Sequence, residues 1–242
     1  MESACLLAEA GHKVTLLEQS STLGGTARIA ALAYEPNGRL IDYHRHRLQQ
    51  LNVDVRLNTT ASVDSLQQLN PDHVIVAVGA NRQAPEIPGK SNNFVFDGEE
   101  MRGLLLGGDA RGMAKLPWWK KIMVTSALTL GITRRIDWVR ELSKLWMPLG
   151  KRVVIIGGGL VGVEIAELLI ERGRHVTLLE PSRDLGPELS IVRRMRVIHL
   201  LKEHGCEFVT GVEVEKLENG RVFYRHKEHA IELETDHVII AQ

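Results

Sequence analysis

Apolar and polar positions along this chain follow two periods, and the two alternate. A helical stretch over 2–10 ends at Gly11, and 12–17 then reads as a strand rich in β-branched and leucine residues. Residues 37–51 have helical character, 53–57 form a short strand and 62–69 a short helix, and 73–78 read as a buried strand stopping at Gly79. The order recurs later: strand 151–156, helix 160–172, strand 175–179, helix 188–204, strand 206–209. Strands alternating with helices imply βαβ units and a parallel sheet. Beyond residue 210 the period drops to two. Segments 212–217, 221–226 and 230–233 predict a small antiparallel meander, with Asn219-Gly220 as a hairpin turn, and 237–241 is a closing strand. In the middle, 80–95 carries Pro85, Pro88 and Gly89 and reads as a loop. Residues 97–148 hold all four tryptophans and read as two or three helical pieces, broken at Pro117, Gly131 and Pro148.

The recurrence is visible in the letters as well. ESACLLAEAGHKVTLLE (2–18) and EIAELLIERGRHVTLLE (164–180) share 11 of 17 positions at an offset of 162. The match continues at Leu23-Gly24 against Leu185-Gly186, and DHVIVAVG (72–79) returns as DHVIIAQ (236–242). Such a repeat predicts two units of one type. In the second copy the glycines Gly157, Gly159 and Gly162 precede the match. In the first copy their positions would fall at −5, −3 and 0, so the chain reads as a fragment and Met1 as an internal methionine or an artificial start.

The glycines carry the strongest chemical signal. Gly157 permits a tight turn after the strand. Gly159 lets backbone amides approach a pyrophosphate, and Gly162 lets the following helix pack close. The helix N-terminus, at Leu160 and Val161, then meets the phosphates with its partial positive charge. Glu180 ends the next strand, 23 residues after Gly157, where a carboxylate accepts ribose hydroxyls. A carboxylate there repels a 2′-phosphate and favours NAD(H) over NADP(H); Arg183, three residues on, is the cation that would pair with that phosphate instead. The first copy keeps the matching acid, Glu18, with Gln19 beside it. Gly24 and Gly25 follow, where a second nucleotide can approach the backbone. Arg28 is either a pyrophosphate partner or a surface residue. Gly79 and Ala241 stand at the carboxyl ends of their strands, the edge where open parallel sheets bind ligands.

Composition narrows the classes. Lysine plus arginine equals aspartate plus glutamate at 30 each, so no nucleic-acid partner is indicated. The 44% hydrophobic content supports packed cores. Cys5 and Cys206 stand alone, so this segment carries neither a metal or iron–sulfur motif nor a redox dithiol. The longest apolar run, 122–132, is too short to span a bilayer, and the expected compartment is the cytoplasm. His44 and His46 point to different faces of one helix and suit no metal. Gly107-Gly108-Asp109 resembles a flavin-binding Gly-Asp pair but lacks the strand before it. The stretch 115–121, with Trp118 and Trp119, reads as core or domain contact ahead of a membrane-surface helix.

The resulting fold class is α/β, with two Rossmann-like dinucleotide-binding units on parallel sheets, the first truncated. Residues 1–95 form a partial FAD-binding unit, 96–148 a helical connection and 149–242 the NAD(P)H-binding unit. One unit inserted in another is the plan of the two-dinucleotide-binding-domain flavoproteins. Within that group the chain resembles the C-terminal half of the 2,4-dienoyl-CoA reductase and Old-Yellow-Enzyme-like NADH:flavin oxidoreductases. The resemblance rests on EAGHKVTLLEQSSTLGG (9–25), the short crossover 60–72 ahead of VIVAVGA (74–80), and LWMPLGKRVVIIGGGLVGVEIAELL (145–169). It implies an N-terminal β/α barrel of the same polypeptide holding FMN and a 4Fe-4S cluster, electrons passing from NAD(P)H to FAD and onward, small-molecule cofactors as partners, and an oligomer as an option. It names no catalytic acid or base in this chain. The plan is shared with ferredoxin-reductase and glutamate-synthase-like electron-transfer subunits, and a nucleotide-binding module without turnover is the third reading.

Overall fold

The computed structural model describes residues 1–80, 85–107 and 110–241. The chain divides into two compact units, Met1–Asn81 and Arg82–Gln242. The helices that bear Trp118, Trp119 and Trp138 belong to the second of them.

The first unit contains α1 (Glu2–Glu9), β1 (Thr15–Leu17), α2 (Ala27–Ala33), α3 (Pro36–Gln50), β2 (Asp54–Arg56) and α4 (Val63–Leu69). Gly11, at φ +87, turns the chain out of α1. β1 and β2 pair in parallel, Leu16 opposite Val55. Ala4, Cys5, Leu23 and Leu48 form the core of this unit, with Val14, Leu16, Val53 and Val55 against it. Ser62 caps α4 through a reciprocal bond with Ser65, 3.2 Å one way and 2.9 Å the other.

Residues 73–78 correct the sequence reading. They form no strand. Val74, Ile75, Val76 and Val78 are 50–86% exposed, so Gly79 does not terminate a buried strand. The cause is pairing. The corresponding segment of the second unit lies between two parallel neighbours, one of them the strand that precedes the glycines. Met1–Asn81 contains no counterpart of that strand among its described elements. An apolar run without a partner for its N–H and C=O groups gains nothing from extending.

The second unit opens with β3 (Val95–Asp97), a strand the sequence reading did not foresee at the join of its loop (80–95) and helical segment (97–148), then α5 (Gly98–Leu106), α6 (Ala110–Ala114), α7 (Trp118–Thr129), a 3₁₀ turn (Ile132–Arg134) and α8 (Ile136–Leu145). A capping box starts α5: Asp97 accepts from Glu100 N at 2.7 Å, and Glu100 accepts from Asp97 N at 3.0 Å. Trp118, Trp119 and Trp138 are exposed, so of the two readings of 115–121, core or domain contact, core does not hold. Val124 is the buried residue of α7, because the helix is apolar on most of its circumference and only one stripe meets the unit. Gly108 and Asp109 lie outside the described residues.

There follow β4 (Arg152–Ile156), α9 (Leu160–Ile170), β5 (His175–Glu180), α10 (Ile191–Glu203), β6 (Glu207–Thr210), β7 (Val212–Glu218), β8 (Arg221–His226), β9 (His229–Glu234) and β10 (His237–Ile240). Five parallel strands stand in the order β3-β10-β4-β5-β6. The buried faces of β4, β5 and β10 are Val, Ile and Leu throughout, as expected of strands covered on both sides. β7, β8 and β9 form the expected antiparallel meander. Asn219 and Gly220, at φ 51 and 73, make the turn between β7 and β8. Among the described residues no helix is long and apolar enough to cross a membrane, and no cluster of His, Cys, Asp and Glu has the makings of a metal site.

Candidate nucleotide site

The end of β4 and the start of α9 assemble most of the residues singled out in the second repeat. Gly157 turns at φ +107, and its N–H donates to Leu179 O at 2.8 Å, tying the loop to β5. A Cβ at Gly162 would collide with the Gly157 carbonyl, so the close helix–strand approach requires glycine there. Gly159 is extended, with φ −67 and ψ −168. The three atoms nearest to a Cβ at that position all belong to the carboxyl group of Glu188, the closest at 3.3 Å. Ala241 N donates to Ile156 O at 2.8 Å, which places Ala241 beside the loop at the carboxyl end of β10. Leu160 is partly exposed and Val161 half-buried at the mouth of α9.

Glu180 is held by two backbone donors. Gly158 N reaches its Oε2 at 2.5 Å, and Ser182 N reaches Oε1 at 2.8 Å. A carboxylate offers about four acceptor directions, so two remain for hydroxyl donors. Arg183 is exposed in the following loop. In the first unit Glu18 makes the same local turn: Ser20 N and Ser20 Oγ both donate to its Oε1 at 2.8 Å. The repeat is thus structural down to a carboxylate folded over the serine two residues on. Gln19 is exposed beside it. Gly24 and Gly25 take φ +120 and +50. Arg28 is buried rather than on the surface: Nη1 donates to Thr22 Oγ1 at 2.5 Å, and its Cγ lies where a Cβ on Gly24 would come within 2.9 Å.

Two contributors escaped the sequence reading. Gly158 is as constrained as its neighbours, since a Cβ there would come within 2.5 Å of Leu185 and 2.7 Å of Leu178. Its sign was the unbroken Gly157-Gly158-Gly159 run. Glu188 donates no such sign. It stands 28 residues from Leu160, whose N–H donates to its Oε2 at 3.0 Å. On the inner side of α9, Glu167 is buried and held by Arg193 at 2.6 Å; burial raises the Glu167 carboxyl above the usual range, as it does that of Glu164. Cys206 is buried and its thiol is pushed up to about 12, which leaves it unreactive.

A sequence profile of the pyridine nucleotide-disulphide oxidoreductases matches residues 41–242. The chain belongs to this family. Its two cysteines, Cys5 and Cys206, are free and buried. Over its whole length it is 30% identical to a bilirubin reductase of Mediterraneibacter gnavus, of which it covers 32%. It is 28% identical to an NADH oxidase of Thermoanaerobacter brockii over 90% of its own length and 28% of that protein's. A solved 2-naphthoyl-CoA reductase superposes on the entire chain with a TM-score of 0.76 at 23% identity, through 31% of its own length. The chain therefore spans about a third of the relatives it matches.

Proposed function

We propose that this chain is the part of a flavin oxidoreductase that binds NAD(P)H and delivers its electrons to FAD, with NADH the preferred donor. The observation that carries the reading is the β4–α9 loop: Gly159 faced only by the carboxyl end of Glu188, the N–H groups at the mouth of α9, and a Glu180 carboxylate pinned by Gly158 and Ser182. These residues fit a dinucleotide. The backbone around Gly159 and Leu160 binds phosphate, Glu180 accepts ribose hydroxyls, and Gly157, Gly158 and Gly162 hold the loop in shape. Bound nicotinamide supplies the hydride that a flavin accepts, so the protein groups orient rather than exchange protons. The first unit contributes the acid Glu18 and the Gly24-Gly25 turn to an FAD site; within this chain it has no glycine loop for the pyrophosphate.

The longer relatives, together with the motifs over 9–25 and 145–169, favour a 2,4-dienoyl-CoA reductase or Old-Yellow-Enzyme-like setting. There an N-terminal barrel with FMN and a 4Fe-4S cluster would receive the electrons. The test is calorimetric titration of the chain with NADH and NADPH. NADH should bind more tightly, and Glu180→Ala should narrow the preference by about tenfold, or 1.4 kcal/mol. A preference for NADPH in the unaltered chain would shift the 2′ role to Arg183.

A further inference from the structure

Building on that reading, we infer that Glu188 is the chain's own occupant of the phosphate position at the mouth of α9, and that nucleotide binds by displacing it. α9 begins at Gly159 without a side-chain cap from its own N-cap residue. Its first-turn donors therefore need an outside acceptor. Leu160 N finds one in Glu188 Oε2 at 3.0 Å. Both carboxyl oxygens and Cδ of Glu188 lie 3.3–3.7 Å from the point where a Cβ on Gly159 would sit, which is the space the glycine keeps open.

The placement is built rather than incidental. Glu188 hangs from a loop locked to the glycine turn: Gly186, at φ +57, donates its N–H to Gly158 O at 2.7 Å, and Leu185 packs buried against Gly158. The loop backbone is thus fixed while the Glu188 side chain is exposed and able to swing into water. A carboxylate at a helix N-terminus is stabilised by the same partial charge and N–H groups that attract a phosphate. The two anions cannot share Leu160 N–H, so they compete. Self-occupancy keeps the helix end satisfied when nucleotide is absent and lowers apparent affinity by the stabilisation that Glu188 gives up.

The experiment compares unaltered chain, Glu188→Ala and Glu188→Gln by NADH calorimetry and by thermal melting without nucleotide. NADH should bind Glu188→Ala about tenfold more tightly, and the nucleotide-free variant should melt at a lower temperature because α9 loses its cap. Glu188→Gln, which keeps an acceptor but not the charge, should fall between. Unaltered affinity, or weaker binding, in both variants while the unaltered chain binds NADH would overturn the inference and leave the dinucleotide reading in place. If NADH binds none of the three proteins, the dinucleotide reading fails and this inference with it.

Discussion

Gly159 and Gly162 lie three residues apart in one loop and should fail differently when substituted. A methyl group on Gly162 runs into the Gly157 carbonyl, and backbone cannot move aside as a side-chain tip can. Gly162→Ala should therefore destabilise the second unit by about 3 kcal/mol, on the scale of overpacking, and lower its melting temperature by roughly 5–10 °C. Gly159→Ala meets only the flexible end of Glu188. Its melting temperature should shift by no more than a degree or two, while NADH affinity falls at least about tenfold because the methyl stands where the pyrophosphate approaches. Thermal melts and calorimetry on the pair separate a folding role from a binding role. Equal melting temperatures for the two variants would contradict the packing derived for Gly162.

Elements add effects that no single residue carries. β10 begins at His237, whose Nδ1 accepts the Gly150 N–H at 2.8 Å. Burial, with Lys120 nearby, lowers the imidazole from 6.5 to about 4. Between those values the unfolded chain binds a proton that the folded chain does not. The contribution to stability is thus complete above pH 6.5 and is lost as pH falls toward 4, by about 3 kcal/mol. Urea melts across that range should show the loss, and His237→Asn, which keeps an acceptor near Nδ1, should flatten it. The same strand has a counterpart in 73–78, similar in letters and opposite in fate. β10 is hydrogen-bonded on both sides, to β3 and β4, whereas 73–78 is unpaired and exposed. Amide exchange should be slow across Val238, Ile239 and Ile240 and close to that of an unfolded peptide across Val74, Ile75 and Val76. Protection of the latter three would mean that the segment is paired in solution.

At the scale of the whole chain, two units of unequal completeness should respond unequally to ligand. The second has a five-stranded sheet and the full glycine loop. The first has two short paired strands, and its acid Glu18 stands without such a loop. Calorimetric melting should show two transitions rather than one. NADH at a hundredfold excess over its dissociation constant should stabilise one of them by about 2.7 kcal/mol and leave the other in place. Purified as residues 1–242, the chain should carry far less than stoichiometric flavin by visible absorbance. A yellow protein with one FAD per chain would show that the first unit holds the cofactor without a loop.

The amino-acid sequence alone determined what depends on neighbours along the chain. The glycine spacing from Gly157 to Gly162, the acid Glu180 at the next strand end, the Asn219-Gly220 turn and the 162-residue repeat are all local patterns, and each appears in the fold as a local geometry. The capping box at Asp97 and Glu100 is local as well, but the sequence reading passed over it and only the structure showed the helix start that β3 leads into. Tertiary structure decided whatever depends on a partner distant in sequence. Val74 to Val78 read as a strand because hydrophobicity reports a wish to be buried, but a strand also needs a neighbour to bond, and among the described residues there is none for it. Trp118 and Trp119 read as core or domain contact for the same reason and stand exposed. Arg28 is buried only because Thr22 and Gly24 fold over it. Glu188 reaches Leu160 across 28 residues, since the β5–α10 loop is pinned to Gly158, and no spacing rule along the chain encodes a contact that a folded loop creates.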